Sequence, residues 1–269
     1  AAVDCAHADS TKGGCCMTPR TQKIASATLI VCVFVFWEIF FVLAGISELI
    51  LPRPSRIIEA FLQYALAIAP HAWQTLYTTL VGFLFGVLIG LSLGVLIGSS
   101  KLCYDTAYPL LVGISSIPKV AVVPIFVLWF GAGTVPAILT AMIICIFPIV
   151  VNVSTGIATV EPELEDVMKS LKANKLEILW NVGLPRSLPY FFAALKVSIT
   201  LSFVGSVIAE TVASNKGVGN MMLIASSQFN VPLVFSGLIV LAVMGISLYA
   251  IFALLEGRMT GWATRKNNV

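Results

Sequence analysis

Charged residues are scarce in this 269-residue chain: Asp, Glu, Lys and Arg together make up 11%, against roughly 25% in soluble domains. Hydrophobic residues make up 58% and mean hydropathy is +0.98, more apolar surface than a water-soluble fold of this length can hide. A soluble enzyme, a disordered chain and a nucleic-acid-binding protein are excluded on that ground, and a polytopic membrane protein remains. No Gly-x-x-x-x-Gly-Lys-Ser/Thr phosphate loop occurs. No nucleophile–base set and no metal site can be read, and Cys5, His7, Cys15 and Cys16 lack zinc-ligand spacing. The six cysteines form no loop-borne framework, because Cys32 and Cys145 fall in apolar segments and Cys103 beside one; structural disulfides are not expected. A channel would show a filter or charge ring, and none is evident.

What is present is a series of apolar runs, each near the roughly 20 residues that cross a bilayer. The first runs from about Ile24 to Ile46 and contains Glu38. A second lies within the uncharged stretch Ala72 to Ser100, and a third starts near Thr106, meets Pro118 and Lys119, and ends near Phe130. From Val120 to Val160 no charge occurs, which at ~1.5 Å per residue is ~60 Å of helix and too long for one span. Gly131-Ala132-Gly133-Thr134 is the break, so a fourth helix is expected from about Val135 to Ile157. A fifth runs from about Leu188 to Thr211 and a sixth from Pro232 to Leu255. Residues 1–23 form a polar tail, in which Met17-Thr18-Pro19-Arg20 reads as a natural start and residues 1–16 as a non-native extension. Residues 24–260 form the membrane domain, and 261–269 a second tail.

Lysine and arginine placement sets the orientation. With the N-terminus inside, the inner segments hold Lys12, Arg20, Lys23, Lys101, Lys169, Lys172, Lys175, Arg186, Arg258, Arg265 and Lys266, and the outer ones only Arg53, Arg56 and Lys216. Both termini are therefore expected in the cytoplasm.

Gly82, Gly86, Gly90, Gly94 and Gly98 recur every four residues along the second span. Residues four apart share a helix face, so they form a groove that admits another helix backbone. The loop over 158–187, cytoplasmic in this topology, carries a short amphipathic helix, Glu161 to Lys172. Leu164, Val167, Met168 and Leu171 lie on one face, with carboxylates near its start and Lys169 and Lys172 at its end. A second short helix is expected from Asn174 to Asn181, ended by Gly183 and Pro185. The apolar face must dock on something, a lipid surface or a protein socket. The five carboxylates among Glu161 to Glu177 favour a protein.

In this loop Asp166-Val167-Met168, then Lys172, then Val182-Gly183-Leu184-Pro185 resembles the signature of binding-protein-dependent ABC importer permeases. That signature is Glu-Ala-Ala, three residues, Gly, nine residues, then Ile-x-Leu-Pro. Its spacing matches throughout, although Met168 replaces the usual alanine and Lys172 the usual glycine. Leu51-Pro52-Arg53-Pro54-Ser55, Ile117-Pro118-Lys119-Val120-Ala121, Leu128-Trp129-Phe130-Gly131, Phe147-Pro148-Ile149, Ala209-Glu210 and Gly217-Val218-Gly219 are similar to motifs of the nitrate, sulfonate and taurine subfamily.

The resemblance implies an all-α integral membrane fold, type I ABC importer-like, with six transmembrane helices and a coupling-helix loop between the fourth and fifth. Glu163, Leu164, Asp166, Val167, Met168, Leu171 and Lys172 would carry ATPase coupling. Implied partners are a second permease copy, two ATP-binding cassette subunits that hold ATP and magnesium, an extracytoplasmic solute-binding protein and membrane lipid. The chain itself would hold no cofactor. The cargo would be a small solute, either a nitrate-, sulfonate- or taurine-like anion or a thiamine-precursor, riboflavin or aromatic-acid-like compound. The alternative is an ATP-independent secondary transporter, for which no repeat or paired broken helices can be read.

Polar residues inside the spans are the pathway candidates. Lys119 either attracts an anionic substrate or pairs with a carboxylate, and Lys196 reads as a snorkelling residue. Glu210, near the outer end of the fifth span, reads as a gate or a structural pair. Ser115, Ser116, Asn152, Ser198 and Ser202 either line a path or bond their own backbone.

Overall fold

The structure, a computed structural model, describes residues 19–45, 51–160 and 162–259, and all the regular secondary structure among them is helical. The chain divides into two compact units, Ala1–Arg56 and Ile57–Val269.

The first unit holds α1 (Pro19–Ala44), whose apolar stretch is Val31–Leu43. Glu38 of this helix accepts hydrogen bonds from Ser55 N at 3.1 Å and Ser55 Oγ at 2.8 Å. Ser55 lies in the first turn of α2 (Pro54–Gly98), where backbone N–H groups have no intrahelical acceptor. Glu38 thus serves as a carboxylate cap on the next helix.

In the second unit, α2 continues without a break to Gly98. Its 45 residues are ~67 Å at ~1.5 Å per residue, twice the hydrocarbon thickness, so the helix extends well beyond the Ala72–Ser100 segment. Next come α3 (Lys101–Ser115), a 3-10 turn (Lys119–Val122), α4 (Val123–Phe130) and α5 (Thr134–Ala158). The short α6 (Pro162–Ser170) and α7 (Lys175–Ile178) lead through a π-helical turn (Leu179–Gly183) into α8 (Leu184–Ala213). Finally α9 (Val218–Ser227) precedes α10 (Val231–Met259). By length and composition Pro54–Gly98, Thr134–Ala158, Leu176–Ala213 and Val231–Met259 can cross a membrane, and α3 with the 119–130 segment is a bent pair that passes the same test together, as a broken span or a re-entrant loop.

Two departures from the sequence reading have physical causes. The third span is not one rod: it bends by 75° between Ser115 and Lys119. Pro118 offers no N–H and pushes Ile117 out of the helical region, so the ladder stops there. Conversely, Gly183 and Pro185 do not end the second loop helix. The π-helical turn absorbs Gly183, and Pro185 falls in the first turn of α8, where its missing N–H costs nothing. The fourth helix lies within a residue of its expected ends, and Gly131 and Gly133 make the preceding break at φ +76° and +154°.

The core is a block of α2, α5 and α8. Gly82, Gly86, Gly90, Gly94 and Gly98 face Ala141, Cys145, Ile149, Val153 and Ile157, so two four-residue registers mesh. A Cβ at Gly94 would sit 2.8 Å from the Val153 Cβ, and one at Gly82 2.6 Å from Ile138 O. Only glycine allows that approach. From the other side, α8 donates Ser198 Oγ to Cys145 O at 3.3 Å and Ser202 Oγ to Thr79 O at 3.2 Å. In lipid, where no hydrophobic force separates helix from solvent, close contact and interhelical hydrogen bonds supply the cohesion. Lys196 pairs with Glu256 of α10 at 2.5 Å, a partner that the snorkelling reading did not supply.

Candidate functional sites: a cleft, a polar corner and a helical loop

The bend of the third span opens a cleft of about 520 Å³. Ser115, Ser116, Lys119 and Asn152 all line it, together with Ile144, Phe147, Pro148, Val151 and Leu201. Lys119 Nζ donates to Ser115 O at 2.6 Å and lies 4.9 Å from the centroid of the Phe147 ring. The bent backbone leaves the last carbonyls of α3 without helical partners, and the lysine caps one of them. Ser115 and Ser116 donate their hydroxyls to Val112 O, at 2.7 and 3.1 Å.

Ser198, Ser202 and Glu210 fall elsewhere. All three are fully buried; the serines sit in the helix packing just described, and Glu210 organises a polar corner between α2, α8 and α9. Its Oε2 accepts from Thr75 Oγ1 at 2.7 Å and Gly219 N at 3.3 Å, and its Oε1 from Thr78 Oγ1 at 3.2 Å. Thr75 Oγ1 accepts from Val218 N at 2.9 Å, and Gly217 N donates to His71 Nδ1 at 3.2 Å. The first N–H groups of α9 are thus capped by side chains from two other helices, which replaces a local N-cap. Gly217 has φ +113°, and a Cβ there would enter the Glu210 carboxylate. That explains the Gly-Val-Gly run.

Sequence reasoning missed Thr75, Thr78, His71 and all of α9. The available signal was register: Thr78 stands four residues before Gly82 and continues the glycine series.

The loop residues are gathered on one short helix. In α6, Leu164 and Met168 are half-buried while Val167 is 57% and, just past its end, Leu171 is 72% exposed. Asp166 and Lys169 pair at 3.3 Å. Ala173 N donates to Met168 O at 3.0 Å and Lys172 N to Lys169 O at 2.9 Å, the paired bonds of a Schellman C-cap. Lys172 accordingly adopts φ +62°, a conformation that favours glycine. A second cavity, of about 550 Å³ and lined by Lys101, Tyr104, Asp105, Ile157, Lys169 and Leu179 among others, separates the loop from the bundle. Glu161 and the tails 1–18 and 260–269 lie outside the described residues.

Comparison with known proteins follows these features. Residues 82–261 match the family described as binding-protein-dependent transport system inner membrane component. The chain is 35% identical over 230 residues to the riboflavin transport system permease protein RibX of Chloroflexus aurantiacus, covering 85% of this chain and 86% of that protein. It is 29% identical over 273 residues to the nitrate import permease protein NrtB of Synechocystis, covering 93% and 96%. Its fold is similar to a chain of the MetNI methionine ABC transporter in an inward facing conformation, with TM-score 0.64 and 20% identity over 72% of this chain and 96% of that one. Multi-pass apolar helices, the glycine-meshed core and the loop signature agree with these matches: the chain belongs to the inner-membrane permeases of ABC importers, in the subfamily that includes nitrate, sulfonate and taurine permeases.

Proposed function

We propose that this chain is the pore-forming half of an ATP-driven importer, working as a dimer and coupled through α6 to a separate ATPase subunit. Residues 24–260 form its membrane domain, with α1 as the first of six spans and both termini in the cytoplasm. The bent third span and α5 face the solute through the cleft at Lys119, while the α2–α5–α8 block is the rigid body that moves. ATP and magnesium belong to the paired ATPase subunits, and an extracytoplasmic binding protein delivers the solute. That solute is of the kind carried by the relatives: a nitrate-, sulfonate- or taurine-like anion, or a riboflavin-, thiamine-precursor- or aromatic-acid-like compound.

The observation that carries this reading is the coupling loop. Val167, on the nine-residue helix α6, and Leu171, just past its end, are exposed apolar side chains flanked by Glu163, Asp166 and Lys172, and the helix is too short and too polar to serve as a span. Full burial of an exposed apolar side chain contributes about 1.5–3 kcal/mol, so Val167 and Leu171, with the still exposed parts of Leu164 and Met168, favour docking on a protein groove. The surrounding charges then set register and orientation.

Met168→Glu places a charge on that face. In proteoliposomes containing the whole complex, the variant is expected to reach the membrane normally but to lose substrate-stimulated ATP hydrolysis. Unchanged stimulation would sink the assignment of α6.

A further inference from the structure

Lys119 has a chemistry that helix capping does not use up. Its ammonium carries three N–H donors, of which one goes to Ser115 O. One side of the charge rests toward the face of Phe147, which holds a cation without neutralising it. Among the described residues no carboxylate pairs with it, and the cleft lining includes none. A positive charge set in a low-dielectric wall, with apolar surface beside it, concentrates anions of matching shape. The hydroxyls of Ser115 and Ser116 are turned to Val112 O, so the ammonium is the strongest donor facing the cleft. Phe147 and Leu201 give the cleft an apolar side that suits an organic body behind the charge.

We infer that Lys119 over Phe147 is a subsite for the head of a small organic anion, a carboxylate or sulfonate on an apolar body, crossing at the bend of the third span. This rests on the reading of the cleft as part of the pathway. Selection by charge then happens inside the membrane as well as on the binding protein, and neutral analogues of the same shape pass without being held.

The test uses the full complex with the six cysteines of this chain replaced by serine and a single reporter, Ser116→Cys, with Asn152→Cys as a second. Benzenesulfonate is expected to slow modification of the reporter by an uncharged maleimide, whereas benzenesulfonamide leaves it unchanged. Lys119→Gln should weaken protection by at least about tenfold, the loss of one charge-assisted hydrogen bond, and Lys119→Arg should retain it. Equal protection by the two compounds, or protection that survives Lys119→Gln, would overturn the anion subsite. The pathway reading is tested separately by a membrane-impermeant maleimide in proteoliposomes. A reporter unreachable from both faces overturns that reading without bearing on the ion chemistry.

Discussion

Helices α2 and α3 are neighbours in sequence, separated by Ser99 and Ser100, yet they meet the rest of the chain differently. Along α2 a continuous face of threonine and glycine, from Thr75 to Gly98, is buried. No residue of α3 is buried, and beyond the bend Leu128 and Trp129 are 82% and 68% exposed. α3 carries Lys101 and Asp105 and is the less apolar of the two, but the larger difference is register. Glycine recurs every four residues on one face of α2 and lets the α5 backbone approach, whereas Thr106, Gly113 and Ser115 of α3 follow no such register. The face without that register is available to lipid, to solute or to a second copy.

That contrast can be broken at its strongest point. Gly94→Leu drives a side chain into Val153 Cβ and, at 3.2 Å, Val150 O; it should cost about 3 kcal/mol and remove the monodisperse peak on detergent size exclusion. The matching change in α3, Gly113→Leu, meets nothing within 4 Å and should leave the melting temperature of the purified protein within about 1 °C, as exposed sites do. Equal losses would show that α3 is packed as tightly as α2.

Next in size is the polar corner. Glu210→Ala leaves Gly219 N without its acceptor in a buried setting, at about 2 kcal/mol, while Thr75 Oγ1 can still donate to His71 O at 3.1 Å. The loss should appear as faster hydrogen exchange at the start of α9 and a lowered thermal midpoint, with α5 amides unchanged. If exchange rises equally in α5, the corner and the glycine seam are one cooperative unit.

The smallest effect is expected at the loop. Lys172→Gly relieves a left-handed conformation that costs a residue with a Cβ about 1 kcal/mol. Amide exchange at Ala173 should slow accordingly. No change there would mean that the Schellman cap contributes little to the order of α6.

Particular residues show what the sequence could and could not reveal. Gly131 and Gly133 placed the start of α5, because an uncharged run too long for one span must break where φ can turn positive. The loop helix was legible from the 164, 167, 168, 171 spacing and from Lys169 near its end. The bend after Ser115 was only half legible: Pro118 marks an interruption, but a 75° turn depends on what Lys119 can cap. The α9 corner was not legible, since its caps arrive from Thr75 and Glu210, more than 130 positions apart. Likewise, nothing local distinguishes Ser198 and Ser202, sealed between helices, from Ser115 and Ser116, which face a cleft.

The central claim is that this permease takes its work from another chain through α6. Affinity purification from mild detergent, with wild type and Met168→Glu side by side, tests it most directly. Wild type should bring down an ATPase subunit that the variant loses, while both remain folded. Wild type that purifies alone yet moves solute in liposomes without ATP would contradict the account and make the chain a secondary transporter.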